Sequence, residues 1–399
     1  MRKIFLLLLA ALPLLASAEL RPANECQGSR MPYPEPDSLI SAPDSLIAVM
    51  INHVGRHGAR YATSPKHFAD VVDVMTGAQL TPLGRKVFDS VNNAVTMTDG
   101  HWGDLDSLGQ AEQQGIARRL CMTYPQLVIG QDVRAISSYV GRCIASMDAF
   151  TQTVKRFQSG LGSLQTASGE QFNDLVRFFQ VDSAYVQWAK EKPYSPELKD
   201  FTDRTTPAEA LCDRIFKKRP EGLDPVKFAA DVYYCLSTQG AMGLGTTAME
   251  LMTPEEMNRL WEIDNLRQYF SRTATTVSAL PAEIAAPLLN DLIQTTDDFI
   301  AGRLKSTVNL RFGHAETLMP LLSLMRLPGC YYLTHYFDTV SSHWQTWNVV
   351  PMASNLQMIL FYSPKSGNYY VRIDLNERPI SIDGMTYIPW PRLRAFLMS

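Results

Sequence analysis

The sequence predicts an α/β fold: a doubly wound mixed sheet flanked by helices, with an inserted, mostly α-helical cap. Three observations predict it. Apolar runs with β-branched members alternate with amphipathic stretches over the first 145 residues, as strand–helix units do. From 146 to 299 helical periodicity dominates and strand signals are sparse. Strand patterning then returns, so 19–145 and 300–399 read as one α/β domain built from both ends of the chain.

The elements follow in order. Arg2 and Lys3, the apolar stretch Ile4 to Leu15 and the small residues Ala16-Ser17-Ala18 read as an export signal over 1–18. That stretch is too short to span a bilayer comfortably, so the mature chain is expected in the periplasm or outside the cell, free of the membrane. Leu46 to Ile51 (LIAVMI) predicts a buried strand of a parallel sheet. Leu80–Val91 and Leu105–Cys121 each place a turn, LTPLG or LDSLG, before an amphipathic helix, and Val133–Ser138 predicts a second strand. Within the insertion, Thr253-Pro254-Glu255-Glu256 marks a helix start, with Thr as N-cap, Pro in the first turn and Glu closing a capping box. Met257, Leu260, Trp261 and Ile263 then share an apolar face. Gly240–Thr247 (GAMGLGTT) lacks the Lys of a phosphate loop and the spacing of a dinucleotide turn, and reads as a plain loop. Ser306–His314 alternates like a strand and leads into the helical AETLMPLLSLM; NLQMILFYS and YYVRIDLNERPI predict two late strands.

Losing Arg2 and Lys3 with the signal would move the formal net charge from −3 to −5, which argues against a nucleic-acid partner or an anionic-membrane surface. Any anion site must then be local. Six cysteines (26, 121, 143, 212, 235 and 330) follow the signal; an oxidising compartment permits 15 pairings, of which the local Cys212–Cys235 is preferred. None forms a C-x-x-C arrangement, so zinc and redox sites are not indicated.

Chemistry concentrates in two short runs. In Arg56-His57-Gly58-Ala59-Arg60, two guanidiniums flank an imidazole at the end of the first strand. A phosphate monoester carries up to two negative charges that repel a nucleophile; paired guanidiniums neutralise them, and a neutral imidazole can then attack phosphorus. Gly58 lets the backbone approach a phosphate closely. A zinc site from His53 and His57 needs a helix, which Gly55 and Gly58 oppose. The second run, Gly313-His314-Ala315-Glu316-Thr317, lies between a strand and a helix start, where His314 can bind a phosphate oxygen and Glu316 can protonate a leaving alkoxide. Arg142, after the second strand, is a candidate third guanidinium, and Lys66, just past the first run, a further phosphate ligand.

These residues carry a resemblance. RHGARY resembles the R-H-G-x-R-x-P signature of the histidine acid phosphatases, in the histidine phosphatase superfamily, whose branch includes many phytases. LTPLG, LDSLG, GIARRL, SSYVGRCIASMDAF and PMASNLQMILFY resemble family segments in the family's order. Most members of that branch carry His-Asp at the second motif; His-Ala-Glu is similar to the multiple inositol polyphosphate phosphatase group, which acts on phytate and lower inositol phosphates. The resemblance implies His57 as nucleophile, Arg56, Arg60, Arg142 and His314 as phosphate ligands, Glu316 as proton donor, no metal or other cofactor, and a small polyanionic phosphate ester as substrate. Ala62 replaces the signature's Pro, which implies a looser loop. Two other readings stay open: a broad acid phosphatase not tuned to inositol phosphates, and an inactive binder of phosphorylated ligands.

Overall fold

The computed structural model describes residues 20–157 and 162–399, so the expected export signal over 1–18 lies outside the described residues. The apolar run near residue 46 extends further than its composition suggested, into a ten-residue strand, β1 (Ile47–Arg56), that ends on the first arginine of the RHG run. A helix, α1 (Lys66–Met75), follows, then the short strand β2 (Gln79–Leu80). Both turn-plus-helix segments form as expected. Thr81 caps α2 (Pro82–Thr98) by accepting the Gly84 N–H, and Asp106 caps α3 (Ser107–Thr123) by accepting the Leu108 N–H. The second strand is β3 (Val133–Ser137), leading into α4 (Gly141–Phe157).

The stretch 146–299 holds more than helices. It contains the second half of α4, the strand β4 (Leu164–Ser168), which pairs parallel to β3, and β5 (Phe216–Lys218), which pairs with β2. Helices then dominate up to Ile300. The helix Pro254–Arg272 starts as expected: Glu256 N–H donates to Thr253 Oγ1 at 3.2 Å, and Thr253 N–H to Glu256 Oε2 at 2.8 Å.

The late strands are β6 (Val308–Gly313), β7 (Asn355–Tyr362), β8 (Tyr369–Leu375), β9 (Arg378–Ile380) and β10 (Ile388–Pro389). YYVRIDLNERPI is therefore two strands. Asn376 and Glu377 both have positive φ, 52° and 61°, and this turn folds β9 back on β8.

The large sheet runs β10-β8-β7-β1-β6-β3-β4, with β9 added to β8. β1, β6, β3 and β4 are parallel, whereas β7 joins β1 antiparallel, giving the mixed sheet expected. Every residue of β6 is buried, because helices cover both faces. On one face Ile116 and Leu120 of α3 and Phe150 and Val154 of α4 pack on Ile51, Leu310 and Phe312. On the other, Met50, Val54 and Leu356 meet the helices Ala286–Ile300 and Ala315–Leu324. A separate core joins α1 and α2 to the helices Ala208–Ile215 and Pro225–Thr238. That core corrects the expected Cys212–Cys235 bond: both residues lie in it as buried free thiols, Cys26 with them, and Cys121, Cys143 and Cys330 are buried and free elsewhere.

One register detail positions the site. In the parallel pair β1–β6, Arg56 stands opposite Gly313, so the residues that follow, His57 and His314, leave the sheet side by side at its carboxyl edge. β3 ends beside them, and Ser138 follows it.

Candidate active site

His57 is 3% exposed, and its ring lies edge-on to His314 with centroids 5.8 Å apart. Its Nδ1 is 2.9 Å from the Gly58 carbonyl. A carbonyl only accepts, so Nδ1 carries the hydrogen and Nε2 keeps the lone pair. Burial, then Arg142, Arg56, Arg60 and His314, push this imidazole well below its ordinary value, so it is neutral and nucleophilic at any mildly acid pH.

The guanidiniums are held from the backbone. Arg56 Nη1 donates to the Ser29 and Val350 carbonyls at 2.6 and 2.7 Å, and Arg60 Nη1 to the Tyr61 carbonyl at 2.8 Å. Arg142 lies in the first turn of α4. In each of the three, Nε–H is buried with no acceptor. Burial and mutual repulsion push Arg56 down to about 9 and Arg60 to about 10; they stay charged at neutral pH, but in a concentrated positive field. Such a field with orphaned donors suits a doubly charged oxyanion.

The loop rests on α3 and α4. Ala59 N–H donates to Glu112 Oε2 at 2.7 Å, Gln113 Nε2 to the Arg56 carbonyl at 2.9 Å, and Gly58 N–H to Ser146 Oγ at 3.1 Å. A Cβ on Gly58 would come within 2.3 Å of the Gly109 carbonyl, and one on Gly109 within 2.1 Å of the Ala59 carbonyl, so the two backbones touch only because both are glycine. Glu112 also accepts the Tyr33 N–H at 2.7 Å; burial, opposed by those amides and by Arg56, pushes it up to about 7. Ala62, in place of the signature Pro, is buried and accepts the Gly103 N–H at 2.7 Å, and Tyr61 N–H donates to the Asp104 carbonyl at 3.1 Å. The expected looseness is therefore offset by backbone pairing.

His314 caps the helix Ala315–Leu324 in a reciprocal arrangement with Thr317. Its Nε2 takes a hydrogen bond from Arg177 Nη1 at 2.8 Å and lies 3.2 Å from Ser138 Oγ, and burial drives the ring down to about 3. Cys143 Sγ, 3.6 Å from the same nitrogen, donates to the Gly313 carbonyl at 3.1 Å. Glu316, in the first turn of that helix, accepts from Arg272 Nη2 at 3.3 Å. Burial works to raise it, but Arg272, His314, a backbone amide and Arg56 prevail and hold it at about 2, ionised at neutral pH.

Six of the seven residues singled out from the sequence thus converge: Arg56, His57, Arg60, Arg142, His314 and Glu316. Lys66 does not. It opens α1 with its side chain 69% exposed and paired with Asp70 at 2.9 Å. Its position in the sequence suggested proximity, but α1 turns it outward to solvent.

Two residues went unnoticed in the sequence, Arg177 and Arg272. FNDLVRFFQ reads as one helix, yet Arg177 breaks it at φ −141°, between Asn173–Val176 and Phe178–Val181. Its guanidinium lies over the rings of Tyr139 (4.8 Å) and Phe179 (5.4 Å) while it reaches His314. Arg272 ends the helix Pro254–Arg272 and also contacts the Tyr185 hydroxyl. No local motif marks either. Among the described residues, no group of three or more His, Cys, Asp and Glu is arranged to hold a metal ion.

A neutral imidazole with a free Nε2, clustered guanidiniums and a nearby carboxyl at the carboxyl edge of a mixed sheet have the chemistry that phosphoryl transfer needs. The chain belongs to the histidine phosphatase superfamily (branch 2), whose sequence profile matches residues 49–376. Among curated proteins it is similar to multiple inositol polyphosphate phosphatase 1 of Homo sapiens, 25% identical over 399 residues that span 89% of this chain and 79% of the human protein. It is likewise 25% identical to the Gallus gallus protein of that name over 299 residues, 68% of this chain, and spans 63% of the chicken protein's length. Solved structures share the fold. The Bifidobacterium longum multiple inositol polyphosphate phosphatase, complexed with inositol hexasulfate, superposes with a TM-score of 0.77 at 17% identity, covering 94% of this chain and 97% of that one. The phytase from D. castellii gives 0.74 at 15% identity, covering 97% and 87%.

Proposed function

We propose that this chain is a phosphomonoesterase that hydrolyses inositol polyphosphates, phytate among them, through a phosphohistidine on His57. The observation that carries the reading is the neutral His57, with its Nε2 lone pair free, among Arg56, Arg60 and Arg142. The guanidiniums and His314 hold the phosphate oxygens. Nε2 forms a bond to phosphorus as the ester P–O bond breaks, and the departing alkoxide takes a proton from Glu316. Water then attacks the phosphohistidine, giving its proton to the Glu316 carboxylate; inorganic phosphate leaves and both residues return to their starting state. The helical segment within 146–299 acts as a cap over this chemistry and supplies Arg177 and Arg272. The relatives named for inositol polyphosphates support the choice of substrate. The leader over 1–18 supports delivery to the periplasm or the exterior, checked by N-terminal sequencing of the mature protein.

The deciding experiment is His57→Ala assayed on phytate, together with trapping of labelled phosphate on the wild-type protein under alkaline quench. Turnover should fall by at least about 10³-fold and the labelled species should vanish in the variant. Turnover within tenfold of wild type would remove the mechanism.

A further inference from the structure

Glu316 is engaged by a cation of the inserted segment. Its Oε1 accepts from Arg272 Nη2 at 3.3 Å, and the same guanidinium donates through Nη1 to the Tyr185 hydroxyl, which in turn donates to the Ser271 carbonyl at 2.8 Å. Arg272 and Tyr185 sit on the helices Pro254–Arg272 and Ser183–Glu191 of the inserted segment, whereas Glu316 opens the helix after β6. The side chains of Arg272 and Glu316 remain 24% and 34% exposed, so the pair is reachable by a ligand.

The groups that face Glu316 are Arg272 and Tyr185 from the insert, His314 beside it, Arg56 from the end of β1, Arg60 from the loop that follows it, and Cys143 from α4. The charged members of that set are all cations. A carboxylate held by them cannot protonate an alkoxide. A phosphate seated by Arg56 and Arg60 offsets two of them but leaves the Arg272 pair in place.

We propose that Arg272 is a specificity-determining residue: it holds Glu316, and a second phosphate on the substrate draws the guanidinium away, freeing Glu316 to carry the proton for the leaving group. This rests on the reading of Glu316 as proton donor. A phosphate offers a guanidinium two parallel hydrogen bonds and up to two charges, against the single 3.3 Å contact to Glu316. Losing its cation raises the proton affinity of the carboxyl, which takes a proton from solvent before attack. The proton then moves from Glu316 to the alkoxide oxygen as the P–O bond breaks. Contact with a remote phosphate is thereby spent on the reacting centre, and a substrate with one phosphate cannot make it.

The test compares wild type with Arg272→Gln, Tyr185→Phe and Glu316→Gln, measuring kcat and KM against pH on phytate, glycerol phosphate and an aryl phosphate. Arg272→Gln should raise the ratio of kcat on glycerol phosphate to kcat on the aryl phosphate about tenfold near pH 5, and move the alkaline limb of the glycerol phosphate profile up by about one pH unit or more. KM for phytate should rise as well. Tyr185→Phe keeps the charge but removes its brace, and should shift the same limb the same way by less. A folded Arg272→Gln that still forms phosphohistidine with an unmoved limb, or a parallel loss on all three substrates, overturns the proposal. If that variant does not fold, an unmoved limb in Tyr185→Phe overturns it. Glu316→Gln separates the two levels: equal losses on alkyl and aryl substrates sink the proton-donor reading itself, while a selective alkyl loss beside an unmoved Arg272→Gln limb sinks only this inference.

Discussion

At the scale of single residues, the site is a set of proton states fixed by burial and charge. His57 and His314 are both neutral, and in each Nδ1 bears the hydrogen: in His57 because Nδ1 faces a carbonyl, in His314 because Nε2 accepts from Arg177. Replacing Glu316 with Gln should cost far more on phytate than on an aryl phosphate, because an aryl oxide leaves without protonation; kcat on the two substrates measures it. Arg177→Ala removes a charged hydrogen bond to His314 and a guanidinium packed between two rings. It should lower kcat/KM on phytate about tenfold or more and lower the melting temperature as well, because the buried His314 Nε2 loses its charged donor; steady-state kinetics and a thermal melt measure the two. Legibility divided along the same line. Arg56, His57, Arg60, His314 and Glu316 sit in short runs whose chemistry is local, so the sequence displayed them. Arg177 and Arg272 reach the site from a broken helix and a helix end, positions set by tertiary packing that no spacing rule reports.

At the scale of elements, α3 governs the loop that carries His57. LDSLG was readable as a turn before a helix, and Asp106 does cap it. What the spacing could not reveal is that Gly109 lies in backbone contact with Ala59, and that Glu112 and Gln113, one turn on, hold Ala59 and Arg56. Gly109→Ala should therefore cost about 1–3 kcal/mol in chemical denaturation through overpacking and lower kcat by displacing the loop. A variant with wild-type stability and wild-type kcat would show that the contact relaxes freely. The strands were legible from β-branched runs, including β6, whose complete burial is a property of the layers around it. The division of YYVRIDLNERPI was missed because Asn-Glu is a weak turn signal; only positive φ at both residues reveals the hairpin.

For the whole molecule, burying ionisable rings makes stability depend on pH. His53, on β1, is fully buried with neither ring nitrogen partnered, and burial with Arg311 nearby pushes it down to about 3. His57 and His314 are also pushed down. Below an unfolded value near 6.5 the unfolded chain binds protons that the folded one refuses, so stability falls as pH drops from about 6.5 towards 3, by at most about 1.4 kcal/mol per pH unit for each ring. Glu112, raised to about 7, opposes this between about 7 and 4.5, because there the folded state binds the proton first. Thermal melts across pH 3.5–7 should show the decline. His53→Leu should narrow it, so that the gap between variant and wild type widens as pH falls; a constant gap would remove His53 from the account.

The pairing of Arg56 with Gly313 also bears on when activity can begin. A chain emerging from the ribosome displays His57 early, but the strand that seats His314 and Glu316 beside it ends more than 250 residues later. Any fragment that stops before residue 314 lacks half the site, however well its first strands pair. Any chemistry that needs both motifs is therefore deferred until nearly the whole chain is made, because the site is assembled from both ends of the sequence.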